Sequence, residues 1–487
     1  MVIGLDSADS KLLIDWCDSG KLPVLKSLKE QGVWGKLASP PLMADDAAWA
    51  SFSTSVSPAE HGRFFWKSFH SGSYDTPQFS AQDWKHEPFW NVLSQANKKV
   101  AIIDVPKCQL SKDLNGIQLA NWLVHGRDDK TGSFPPSFAP DILSRYGNDQ
   151  NDCPNSDEYL CLMETLSTEK LRLLLQRLIN SVERKLSVAT EVLNQGNWDL
   201  FLTVFKESHC VGHQFWHLLD EGHPQYDQVL AHELGDAIEK IYQLIDRSVG
   251  KLLELSDPDT NVIIFSNLGM AANYTGESYL DEILNRLESP VPPRFQPKYR
   301  KLIKVKNRIQ KKITRRELHL NAHRKAFQLE HNEISGAIRI NLKDREPAGR
   351  ISPGRELEKF CAKLSQDLID LVDPNTGNPI VKQVIRTETL FTGNHQDCLP
   401  DLLVEWRRDA LITSVASKKI GLLRVNKPPY RTGNHTVDGI YFARGPAIVP
   451  NQNPSSASLM DIGPTIAALL NTSLPDVEGK PIKAICG

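Results

Sequence analysis

The chain has 487 residues, enough for one large domain or for two to three ordinary ones with a full hydrophobic core. Its 57 basic and 59 acidic side chains nearly cancel, which excludes a global field selecting nucleic acid or an anionic membrane. Eight scattered cysteines without a CxxC pair argue for reduced thiols, not a secreted disulfide scaffold. The opening MVIGLDSADS has neither a basic n-region nor a long apolar run, and no window approaches about 18 apolar residues. The expectation is a soluble, cytoplasmic protein without a leader or a membrane span.

In chain order, VIGLD predicts a short strand that delivers Asp6 to its carboxyl end, where α/β folds place their sites, so Asp6 is a candidate ligand. Residues 10–31 have helical apolar spacing with a break at Gly20. Asp45 and Asp46 then precede the helix-compatible AAWASF. Either could cap that helix, or the same geometry would aim a carboxylate and exposed backbone N–H groups at an anion or a metal. PFWNVLSQANKK reads as a helix and residues 100–106 as a buried strand, an alternation that predicts a mostly parallel sheet. Residues 107–165, rich in Asn, Asp, Ser, Pro and Gly, are expected as long substrate-facing loops that carry His125 and Asp128.

Residues 167–194 have the apolar stripe of a long helix that Ser167 or Thr168 can cap. LFLTVF (Leu200–Phe205) has the length and composition of a buried strand. FKESHCVGHQFWH follows, with His209, His213 and His217 at steps of four on one helical face, where two neighbours can share a metal ion. A further amphipathic helix is expected over 228–255 and a buried strand over 261–267. In residues 298–316, 10 of 19 are Lys or Arg. Such a segment can bind phosphates or a membrane surface, but its few apolar residues favour a solvated helical lid. GAIRINL, a helix over 357–372 and PDLLVEW resume the alternation. RTGNHTVDG is expected as a loop carrying His435 and Asp438, before the strand GIYFA and a last helix in MDIGPTIAALL.

Taken in order, VIGLDSAD, AWASFSTSVSPAEHG, the HxxxHxFWH helix, VIIFSNLGM and NHTVDGIYFARGP with MDIGPTIAALL resemble the alkaline phosphatase superfamily. The branch they resemble is the type I phosphodiesterase/nucleotide pyrophosphatase-like one, which includes phosphohydrolases and phosphomutases. The resemblance spans nearly the whole chain. It implies an α/β fold with a mostly parallel central sheet and helices on both faces. One domain over 1–487 is expected, with a loop-rich insertion at 107–165 and a basic helical lid at 290–330.

It also implies two metal ions that clamp a tetrahedral phosphate while a Thr or Ser attacks it. Asp6 agrees with the first carboxylate ligand, and His213 and His435 with two histidines of the other metal. Three positions depart from the pattern. His209 stands where the family has Asp, Asn267-Leu268 where it has Asp-His, and Asp45 where it has the nucleophile. Ser53 and Thr54, inside the helix, are poorly placed to take over. His209, His213 and His435 make a three-histidine set suited to one zinc ion, with iron or manganese also accommodated. Asp6, Asp45 and Asn267 would hold at most a weakly bound hard cation such as magnesium.

The expected function is a single-metal hydrolase or group-transfer enzyme acting on a phosphate ester or related small metabolite. Asp45 would be general base or nucleophile, oriented by Asp6. The alternative is a catalytically inactive binding protein. The expected partner is a small-molecule substrate, with no nucleic acid and no membrane.

Overall fold

The computed structural model of the chain describes residues 1–80, 83–123, 131–147, 166–289, 320–330, 334–424 and 430–487. Within the span expected as one domain, the chain forms two compact units. The first comprises Met1–His61, Trp84–Asn273 and Pro429–Gly487, and the second Gly62–Asp83 and Tyr274–Pro428. The basic segment 298–316, His125 and Asp128 lie outside the described residues.

The first unit opens with β1 (Val2–Leu5), β2 (Val33–Ala38), β3 (Val100–Ile103), β4 (Gly116–Ala120), β5 (Gly132–Phe134), β6 (Leu200–Phe205), β7 (Val262–Ser266) and β8 (Gly269–Ala272). The second unit contributes β9 (Ala326–Leu329), β10 (Gly336–Ile340), β11 (Val381–Arg386), β12 (Leu402–Trp406), β13 (Ser414–Ser417) and β14 (Gly421–Arg424). The chain then returns to the first unit with β15 (Gly433–Thr436), β16 (Asp438–Arg444) and β17 (Asn451–Ser458).

The first unit is built on a nine-stranded sheet of order β17-β2-β16-β7-β1-β6-β3-β4-β5. The run β7-β1-β6-β3-β4 is parallel, whereas β16 runs antiparallel to both its neighbours and β5 antiparallel to β4. Strands β1, β3, β6 and β7 are buried at every position, as their continuous apolar runs require of parallel strands covered on both faces. Because β1 lies between β6 and β7, the residues just after these three strands meet at one edge. They are Asp6, the helix Glu207–Leu219 and Asn267.

Several sequence expectations need correction. The helical stretch 10–31 is two helices, Ser10–Asp18 and Pro23–Gln31, parted around Gly20, which has a positive φ of 77°. The stretch 228–255 is likewise two, Gln228–Leu234 and Ala237–Glu254. Residues 107–165 are not only loops: β4, β5 and the helix Phe138–Tyr146 lie within them, and both strands extend the main sheet. Strands of five and three residues between turn-forming residues are too short to leave a periodic signal. In the second unit, β9 to β12 form a separate antiparallel sheet of order β11-β12-β10-β9, so the alternation seen there in sequence does not extend the parallel sheet. His435 sits on a strand, not a loop, since β15 pairs with β8 and sets His435 opposite Met270.

Candidate metal centre and active site

The histidine helix begins two residues after β6 and so starts at the carboxyl edge of the sheet. Its four-residue spacing brings the His209 and His213 rings to 4.6 Å between centroids, and β15 brings His435 to 4.8 Å from His209 and 4.6 Å from His213. One candidate ligand atom from each histidine lies within 4.8 Å of the others. No other group of three or more His, Cys, Asp or Glu side chains gathers in this way among the described residues. His217, next along the same face, lies outside the set and pairs through Nδ1 with Thr432 Oγ1 at 3.1 Å.

Helix and strand are held together by their backbones. Thr432 N–H donates to the His213 carbonyl at 2.8 Å, and a Cβ on Gly433 would come within 2.2 Å of the Gly212 carbonyl oxygen. Only glycine permits that approach. It also lets the Gly433 carbonyl accept from His213 Nδ1 at 2.7 Å, which fixes the tautomer and leaves Nε2 as the nitrogen with a lone pair.

Asp6 does the same for His209. Its Oδ2 accepts from His209 Nδ1 at 3.0 Å, while Oδ1 accepts from Trp49 Nε1 at 3.0 Å and Ser7 Oγ at 3.2 Å. The aspartate is itself anchored, its N–H on the Phe205 carbonyl and its own carbonyl on Ser208 Oγ. Gly4 leaves room for the Trp49 ring over β1. Both carboxylate oxygens are thus committed to protein donors. This is the geometry of a carboxylate that orients a metal-ligating histidine from outside. Asp6→Asn should accordingly weaken metal binding by roughly 10–100-fold while leaving some bound metal, measured by competition with a chelator.

Asp45 and Asp46 open the helix Asp45–Thr54, but neither caps it. Ala44 occupies the capping position and no side chain bonds there. Both carboxylates are buried, and Lys107 lies between them, with Nζ 2.7 Å from Asp45 Oδ2 and 2.9 Å from Asp46 Oδ2. Burial alone would raise the Asp45 pKa. The neighbouring ammonium outweighs it and holds the carboxyl well below the usual carboxylate range, and Lys107 is raised in turn. Sequence reasoning missed Lys107, because nothing in the loop after β3 marks its register toward the helix.

Asn267 Oδ1 accepts the Ser7 N–H at 2.9 Å, which leaves the amide nitrogen Nδ2 buried and without a hydrogen-bond partner. An NH2 group is a donor and cannot bind a cation. Leu268 is fully buried and offers no ligand atom. Of the expected second set, Asp6 bonds to His209, Trp49 and Ser7, Asp45 pairs with Lys107, and Asn267 bonds to Ser7.

Arg431, just before β15, is another residue the sequence did not flag. It is 8 % exposed, and its Nη1 lies 3.4 Å from His213 Nε2. Burial, then the charge of Arg431, pushes His213 well below the ordinary histidine value, and burial does the same for His435. Both imidazoles are therefore neutral at physiological pH, the form in which histidine binds metal. The donor set thus fits a divalent transition metal.

A large, mostly parallel sheet with Asp6, the histidine helix and Asn267 at the carboxyl ends of its central strands defines an alkaline-phosphatase-like α/β protein. The chain belongs to the type I phosphodiesterase / nucleotide pyrophosphatase family, which it matches over residues 1–438. Among solved structures it is similar to phosphonoacetate hydrolase from Sinorhizobium meliloti 1021 in complex with phosphonoformate. The TM-score is 0.54 at 12% identity, over 96% of this chain and 94% of that one. It is also similar to murine ectonucleotide pyrophosphatase / phosphodiesterase 5, with a TM-score of 0.53 at 14% identity over 97% and 95% of the two chains. The human counterpart gives 0.51 at 12% identity over 98% and 96%. At such identities the likeness concerns the fold. No curated protein sequence matches the chain. No helix among the described residues is long and apolar enough to cross a membrane.

Proposed function

We propose that the chain is a hydrolase of phosphate esters that works with one divalent metal ion, zinc fitting best, held by His209, His213 and His435. The observation that carries this reading is the convergence of the three imidazoles, two of them locked by Asp6 and the Gly433 carbonyl into the tautomer a metal requires. A metal there would supply Lewis acidity toward an oxygen of the substrate.

The chain's own groups account for the rest. Lys107 keeps Asp45 ionised, and a carboxylate whose proton affinity is so reduced is a poor general base near neutrality. Asp45 would instead attack phosphorus directly, as aspartate does in other phosphoryl-transfer enzymes. An Asp45 carboxylate oxygen bonds to phosphorus as the ester P–O bond breaks, and the departing oxygen takes a proton from water. A second water then hydrolyses the acyl phosphate and regenerates the carboxylate.

A non-catalytic binding protein is the second reading, favoured by Asn267 and Leu268, which remove two ligands the family uses. The test is hydrolysis of bis(4-nitrophenyl) phosphate by zinc-loaded protein beside its metal content. Turnover with about one ion per chain is expected for the enzyme. Bound metal without turnover on any phosphoester would leave the binding reading standing.

A further inference from the structure

The guanidinium of Arg431 is almost wholly buried, and its Nε has no hydrogen-bond partner. It has no carboxylate partner within 4.0 Å among the described residues, and the one side-chain group its guanidinium meets there at hydrogen-bond distance is His213 Nε2 at 3.4 Å. Buried arginines are ordinarily paired, because an uncompensated cation is costly to desolvate. A nearby buried cation shows the contrast, since Lys107 is flanked by two carboxylates.

A second donor adds to this: the buried Asn267 amide nitrogen, without a partner, follows β7 beside Asp6. A buried guanidinium nitrogen and a buried amide nitrogen, each without a partner, are donors that an anion would satisfy.

We propose that Arg431 is the residue that receives the substrate's anionic group, binding its non-bridging oxygens through the guanidinium beside the three-histidine centre. The proposal rests on the reading of that centre as a metal site. It makes the substrate an oxyanion ester that keeps at least one negative charge when bound, and it makes Arg431 a specificity-determining residue. Arginine suits the task because its rigid fork matches tetrahedral oxyanions with two parallel hydrogen bonds.

The probe is inorganic phosphate, titrated calorimetrically into the full-length zinc-loaded chain, with zinc content measured on the same samples. Arg431→Gln is expected to keep its zinc and to bind phosphate about tenfold or more weakly, with Arg431→Lys between it and the wild type. If Arg431→Gln does not fold, judged by circular dichroism, the lysine variant decides, since it keeps the charge and loses the fork. Phosphate affinity equal to wild type in the folded variants, with zinc retained, would overturn the role of Arg431 alone. A wild-type chain that retains no zinc would overturn the metal reading and this proposal with it.

Discussion

Replacing His213 with alanine is expected to reduce bound metal to background and phosphoester hydrolysis with it. Even the outer carboxylate partners of metal-bound histidines are worth roughly 10–100-fold in affinity, so loss of a ligand itself should exceed about 100-fold. His213 is buried and its backbone carbonyl accepts from Thr432 N–H, a bond alanine keeps. The variant should therefore fold, with a modest fall in thermal stability from the space left behind. Elemental analysis after dialysis, paired with a melting curve, separates loss of the ligand from loss of the fold. Unchanged metal content in a folded His213→Ala protein would place the metal elsewhere.

The second large effect is expected at Asp45. Asp45→Asn preserves shape and removes the attacking oxygen's charge, and should lower hydrolysis by about 1,000-fold or more with zinc still bound. Since Lys107 would then face Asp46 alone, its pairing weakens but is not abolished. Acid-quenched wild-type protein examined by mass spectrometry during turnover of bis(4-nitrophenyl) phosphate should carry one 4-nitrophenylphosphoryl group on the peptide containing Asp45. A large activity loss with no phosphorylated peptide would assign Asp45 to proton transfer instead, against the direction of its pKa.

Much of this arrangement is legible from residue order. The strand that ends in Asp6, the strand that feeds the histidine helix and the four-residue histidine step are local patterns, and local patterns survive in a single sequence. Resemblance alone places His435, and its strand reads as a loop, because a four-residue strand paired only with β8 has almost no period to read. The second unit misleads for a related reason: short apolar strands look alike whether their partners run parallel or antiparallel.

What sequence does not carry is the set of long-range contacts that decide chemistry. Asp6 is expected beside a metal, yet its two oxygens are taken by His209, Trp49 and Ser7, residues up to 203 positions away. Lys107 reaches back 61 positions to Asp46, and Arg431 reaches His213 across 218. No periodicity links such pairs; only the sheet order, which sets β1 between β6 and β7, brings them to one edge. The changes at Asn267 and Leu268 are visible in sequence. That the amide turns its oxygen to Ser7 and leaves its nitrogen buried without a partner is not.

One metal ion on three histidines is proposed to replace the two-metal clamp of the family. X-ray absorption at the zinc edge of the zinc-loaded, full-length chain tests it most directly. Expected is a first shell of light atoms at about 2.0–2.1 Å, with outer-shell scattering from three imidazoles and no neighbouring metal. A second zinc a few ångströms away, or a first shell without that imidazole signature, would contradict it.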